Sequence, residues 1–299
     1  MPKKKKATPK EKLAAFLEEQ KQVLEAKTNL NPDEALSTLE DHIEDLEEDD
    51  PSETLKELAA KLKLPASPTI KETFQAFLRE QEKRLKPSTY ADIEAAIGLL
   101  QDYIDGYCHD CLSDDERELF SLLADQGEEP EMSELVGPDR IVENYTSFLN
   151  YFMIRKVICD AQLKKAAGTA TKKLALWLHK QGHISQEAAD EAAEIGEAAA
   201  RYLPKAEKAV QLLYELSEYT PVRAHDLEDE DYHDFSEFTI TKIQRGKLWL
   251  EGLGGEKVGP VEVPPKLTNK LEKDWGITCS LGRYRGKWYF LETANVYPN

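Results

Sequence analysis

Two short stretches decide how the last quarter of the chain is read: QRGKLWL, Gln244 to Leu250, and GRYRGKWYF, Gly282 to Phe290. Each places Arg-Gly-Lys just before or between aromatic residues. Apolar and polar side chains alternate around both, which is the period of a strand with one buried face. Glycine at each centre permits a tight hairpin. Working outward, the alternation predicts strands near Glu237–Lys242, Lys247–Glu251, Val258–Val263, Gly276–Tyr284 and Lys287–Thr293. PPKLTNKLEKD, between the third and fourth, reads as a short helix. Five strands with a helix after the third is the element order of the OB-fold, whose 1–2 and 4–5 loops contact oligonucleotides. An SH3-like barrel fits the same strand count.

Upstream the texture is helical. Phe74, Phe77, Leu78 and Leu85 form one stripe, and Ile93, Ile97, Leu100 and Ile104 a second. Ile141, Tyr145, Phe148, Leu149 and Phe152 predict a helix over 139–158. Gly168 is expected to break the chain, with a helix over Thr169–Gln181 that ends at Gly182. Pro204 is expected to open a last helix. The acidic, aperiodic YTPVRAHDLEDEDYHDFSE reads as a linker. Three helices are expected before PASP (Pro65 to Pro68). The chain is therefore expected to be mainly α with a C-terminal small β-barrel of five strands, OB-like or SH3-like. Its expected divisions are a helical extension with a basic tail (1–66), a helical domain (67–217), an acidic linker (218–235) and the barrel (236–299).

The full chain of 299 residues carries 57 acids and 39 bases, a net charge of -18. Such a chain repels polyanions on average, so contact with DNA or RNA needs a local basic patch. Ser236 to Asn299 holds ten bases and seven acids, a net of +3, and the remainder carries -21. The candidate nucleic-acid contacts in the barrel are Arg245, Lys247, Arg283, Arg285 and Lys287, with Trp249 and Tyr284 as stacking rings. Trp288 and Tyr289 alternate on the same hairpin. A second basic stretch lies between Tyr151 and His183, with seven bases and one acid. Its candidates are Lys164, Lys165, Lys172 and Lys173, although the acids of Glu187–Glu197 are placed to compensate them.

Other readings are narrower. No apolar run is long enough to span a membrane, and no apolar signal core follows MPKKKKATPK. A cytoplasmic protein without membrane contact is the expectation. Cys108-x-x-Cys111 with His179 and His183 has the donor set of a tetrahedral zinc site, at poor spacing. Cys279 alternates with Ile277 and Leu281 as an interior residue, and Cys159 reads as a core thiol. There is no phosphate-binding GxxxxGK[ST], and GLGGEKVG joins two short strands without opening a helix. The expectation is a protein without catalytic activity and without a cofactor.

Two stretches, TFQAFLREQEKRLKPSTYADIEAAIGLLQDYI and AAGTATKKLALWLHKQGHIS, together resemble the core-binding, SAM-like domain of tyrosine recombinases over about residues 72–186. In that family the module is a helical clamp on DNA, so the resemblance implies DNA contact. The family's catalytic half needs an Arg, a His-x-x-Arg and a nucleophilic Tyr. No histidine here has an arginine three residues later. The resemblance therefore implies no DNA cleavage or joining. Two functions follow as expectations: a non-catalytic nucleic-acid-binding or adaptor protein, or a protein-interaction scaffold with an acidic helical surface and a structural or peptide-binding β-domain.

Overall fold

A computed structural model describes Pro68–His109, Leu112, Arg117 and Glu131–Pro298. The helices expected before Pro65 lie outside the described residues, as does Cys111. The described residues divide into two compact units: those up to Thr73 together with those between Ile104 and Pro138, and Phe74–Tyr103 together with those from Asp139 on.

Helix α1 (Ile70–Glu82) begins at a capping box. The Thr69 hydroxyl accepts from the Glu72 amide at 3.1 Å, and the Thr69 amide donates to the Glu72 carboxylate at 3.0 Å. Helix α2 spans Pro87–Tyr107, with proline at its first position, where no amide is required. A single turn, α3 (Met132–Leu135), follows. Ser133 donates from both its amide and its hydroxyl to Asp105 in the first unit.

The stretch expected as one helix over 139–158 is a chain of short turns. 3₁₀ turns at Pro138–Arg140 and Val142–Asn144 lead through Tyr145–Ser147 to a π-helical turn at Phe148–Phe152 and a last turn at Met153–Arg155. The expected apolar side chains are nevertheless buried: Ile141, Tyr145, Phe148 and Leu149 at 0 %, and Phe152 at 8 %. Phe148 and Phe152 both pack on Tyr103. The apolar spacing thus marks the buried face, but the backbone beneath it follows a mixed series of 3₁₀, α and π turns. Cys159 is only half-buried, not a core thiol.

Helix α4 runs unbroken from Ala161 to Lys180, capped by Asp160 on the Leu163 amide. Gly168 does not interrupt it. A Cβ on Gly168 would lie 2.6 Å from the Gly196 carbonyl oxygen, and one on Gly196 would lie 2.6 Å from the Lys172 nitrogen. Both glycines exist so that two helix backbones can touch. Helix α5 (Gln186–Glu218) is the partner, capped by Ser185. Ala167, Ala170, Ala189 and Ala199 complete the close seam. Gly182, at φ +81°, ends α4 with the His183 amide donating to the Leu178 carbonyl. Pro204 sits inside α5 rather than at its start. The missing amide costs about 3 kcal/mol, offset by burial of Ala206, Ala209 and Leu213 in the following turns.

The sheet contains β1 (Tyr232–Gln244), β2 (Lys247–Gly252), β3 (Lys257–Glu262), β4 (Gly276–Tyr284) and β5 (Lys287–Tyr297). A short helix, α6 (Pro265–Thr268), follows β3. The sheet is mixed. β1 pairs antiparallel with β2 and with β4, β2 with β3, and β4 with β5, while β3 meets β5 in parallel at Val261 and Trp288. Every strand thus has two neighbours, in the order β1-β2-β3-β5-β4 and back to β1.

Inward residues of all five strands, from Phe238 to Val296 and including Cys279, form one core with Ala206, Ala209 and Leu213 of α5. The expected boundary between a helical domain and the sheet therefore runs through a shared core. The expected linker over 218–235 is also structured: short turns at Ala224–Asp226 and Asp229–Asp231 lead straight into β1. One of its acids, Asp231, bonds Arg283 of β4, so a run without periodicity is still placed. No helix among the described residues is long and apolar enough to cross a membrane.

Candidate nucleic-acid interface

Both Arg-Gly pairs occupy two-residue hairpins. Gln244 pairs with Lys247 across Arg245-Gly246, and Tyr284 with Lys287 across Arg285-Gly286. Gly246 and Gly286 have φ of +78° and +77°, and Arg285 itself has φ +50°. A left-handed conformation costs a residue with a Cβ about 1–2 kcal/mol, and asparagine or glycine is preferred there. The turn thus retains a cationic side chain where local preference disfavours one. Arg285 is exposed, its guanidinium 5.1 Å from the Tyr284 ring centroid.

Each hairpin is followed by the same pattern, lysine then an aromatic two residues on: Lys247 and Trp249 on β2, Lys287 and Tyr289 on β5. Leu248 and Phe290 point into the core, and Trp288 packs against it. Lys247, Trp249, Lys287 and Tyr289 therefore share the outer face. β3 lies between the two strands. Lys247 is opposite Glu262, and Trp288 is opposite Val261. Because β2 is antiparallel to β3 and β5 is parallel to it, the two patterns run head to tail. Lys247 lies across from Tyr289, and Trp249 across from Lys287, with β3 as the floor.

That floor is low by design of its sequence. Gly259 has φ +137°, and a Cβ there would stand 3.1 Å from Trp249 Cδ1 and 2.8 Å from the Leu248 carbonyl oxygen. Only glycine lets the indole lie over β3. Beside it, a groove of about 290 Å³ is bounded by Pro260, Glu262, Arg283, Lys287 and Tyr289. Lys242 Nζ stands 4.6 Å from the Trp249 ring centroid, a cation–π contact that also brings positive charge to the face.

Acids moderate this charge. Glu262 accepts from Lys287 Nζ at 3.0 Å. Lys287, and Lys247 at longer range, hold its carboxyl below the usual carboxylate range, and Glu262 in turn raises the Lys287 ammonium. Arg283 is turned towards Asp231, with Nε and Nη2 each 2.6 Å from Asp231 Oδ1. The guanidinium also lies 5.7 Å from the Trp288 ring, which stacks on His233 at 5.2 Å. Arg245 and Lys247 form no ion pair among the described residues.

The helical candidates behave differently. Lys164 is 5 % exposed and its Nζ lies 2.7 Å from Glu207 Oε2. A lysine enclosed in this way cannot reach a phosphate, so Lys164 joins two helices and is no ligand. Lys172 bonds Glu197 at 2.7 Å, the compensation that the acids of α5 offered. Lys165 and Lys173 pair with no carboxylate among the described residues.

Three of the four candidate zinc donors lie among the described residues. His179 Nδ1 contacts the Ile184 carbonyl oxygen at 3.2 Å, and the His183 ring lies 6.4 Å from Trp177. Cys108 is buried in the first unit. Among the described residues no cluster of three or more metal-ligating side chains occurs.

No protein-family model, curated protein or solved structure matches this chain.

Sequence alone missed Gly259, Glu262, Lys242 and Asp231. The glycine carried a signal, since Gly-Pro inside a strand marks a bulge or a close backbone approach. The two acids gave none, because their partners are fixed by sheet pairing.

Proposed function

We propose that this protein binds single-stranded nucleic acid on the outer face of β2, β3 and β5, without catalysing a reaction. The observation that carries the proposal is the pair of head-to-tail Lys-x-aromatic patterns, Lys247/Trp249 and Lys287/Tyr289, laid across a glycine-lowered floor between two arginine-tipped hairpins. Alternating rings and cations suit a polymer that alternates bases and phosphates. Stacking on each ring is worth about 1–3 kcal/mol and tolerates any base, while the lysines release counterions.

The strand order and the place of α6 support reading the sheet as an OB-type barrel rather than an SH3-like one. In the OB type, the strand 2–3 face and the loops 1–2 and 4–5 form the oligonucleotide surface, and here those loops are Arg245-Gly246 and Arg285-Gly286. The helical clamp that the recombinase resemblance implies is reduced to Lys165 and Lys173, with Lys164 and Lys172 engaged. It plays no part in the proposed binding mode.

Fluorescence anisotropy of a labelled oligothymidylate with the full chain tests the proposal. Trp249→Ala is expected to weaken binding about tenfold or more, as loss of one stacking ring requires. Lys247→Ala with Lys287→Ala is expected to flatten the dependence of log K on log salt by about 1.4, two single-strand phosphates' worth. Unchanged affinity and slope in both variants would point instead to a protein-interaction scaffold.

A further inference from the structure

We propose that Leu227–Asp231 is a built-in strap that competes with the nucleic acid for Arg283, Asp231 standing where a phosphate would bind. This inference rests on the binding reading above. Three observations carry it. Asp231 places a single oxygen 2.6 Å from both Nε and Nη2 of Arg283, the contact a phosphate oxygen makes with a guanidinium. The strap is seated: Gly282 leaves a notch on β4, and a Cβ there would fall 2.5 Å from Leu227 Cδ1 and 2.9 Å from Leu291 Cδ1. And the engaged arginine lines the same groove as Lys287 and Tyr289, with Tyr289 directly paired to Gly282.

The strap itself is held lightly. Its acids Glu228, Asp229 and Glu230 are exposed, and it consists of one 3₁₀ turn with no buried residue. Arg283 and Asp231 keep side-chain exposures of 46 % and 32 %. A phosphate can therefore approach Arg283 once the carboxylate leaves, and the leaving segment breaks little packing beyond Leu227. Nucleic acid and strap exchange for one another, and the strap sets a threshold that weak or short polyanions do not cross.

The test uses the full chain and a fluorescein-labelled oligothymidylate of about fifteen nucleotides, within the range of single-strand sites on such sheets. Asp231→Asn is near-isosteric and removes the competing charge. Freeing one arginine for one phosphate is expected to tighten binding about fivefold at about 0.1 M salt, and to steepen the log K against log salt slope by about 0.7. Asp231→Ser removes the same carboxylate with a smaller side chain and is expected to give the same gain. Adding Arg283→Ala to Asp231→Asn is expected to abolish the gain. Wild-type affinity and slope in both Asp231 variants would overturn the strap while leaving the binding reading intact, as would a gain that survives Arg283→Ala. If neither wild type nor variant binds at low salt, the binding reading falls and the strap falls with it.

Discussion

Replacing Lys164 with methionine removes one half of an ion pair that joins α4 to α5. Its ammonium and the Glu207 carboxylate are 2.7 Å apart, with side-chain exposures of 7 % and 15 %. Methionine fills nearly the same volume, so the loss is electrostatic: Glu207 keeps its charge in a poorly solvated place. Breaking a fully buried pair this way costs about 3–5 kcal/mol. Glu207 retains some access to water, which puts the expected loss near the lower end, about 3 kcal/mol. In a unit of this size that corresponds to a melting point lower by roughly 6–12 °C, read by thermal denaturation followed by circular dichroism. Lys164→Met with Glu207→Met removes both charges and is expected to recover to within about 1 kcal/mol of wild type. Neither variant should alter oligonucleotide affinity well below its melting point. A Lys164→Met protein that melts like wild type but loses oligonucleotide binding would refute the reasoning, because Lys164 would then be a phosphate ligand.

Other expectations follow from the same contacts. Gly168→Ala places a methyl group against the Gly196 carbonyl; urea denaturation should show a loss of about 2–3 kcal/mol from forced separation of the helices. A fragment beginning at Tyr219 lacks the Ala206, Ala209 and Leu213 side of the sheet's core; it should bind a hydrophobic dye and show no cooperative melting. Trp177 Nε1 donates to Glu80 at 2.8 Å and is the main cause holding that carboxyl below its usual range. Because the folded value is lowered, the stabilisation is complete above the ordinary carboxylate range and is lost as pH falls through the lowered value. Glu80→Gln should remove that part of the acid sensitivity from a plot of melting point against pH.

Local signals in the sequence carried much of the sheet. The strand Gly276–Tyr284 was legible to the residue because glycine and a turn bound it on both sides, and both hairpins were legible from Arg-Gly followed by alternation. The short helix after β3 was marked by its paired prolines. The errors at Gly168 and Pro204 share one cause. Gly168 and Pro204 are local helix breakers, and reading them so ignores what lies across from them. Gly168 faces the backbone of α5, and Pro204 precedes a turn buried under the sheet. Tertiary contact outweighed propensity in both places. The acidic segment before β1 has no period because its order comes from one leucine in a glycine notch and one aspartate on an arginine. At the interface, the rings and cations were visible as residue types. Which of them share a face depends on β3 lying between β2 and β5, a register set across the sheet. The fate of Lys164 was illegible for the same reason, since Glu207 belongs to another helix.

Photo-crosslinking of the full chain to an oligonucleotide carrying 5-iodouracil, with the attachment sites mapped by mass spectrometry, reads out whether bases stack on β2 and β5. Iodouracil joins preferentially to aromatic side chains that stack on it. Adducts are expected at Trp249 and Tyr289, diminished by excess unlabelled single strand. Adducts confined to α4 and α5, or none at β2 and β5 under conditions where the oligonucleotide is bound, would contradict such stacking.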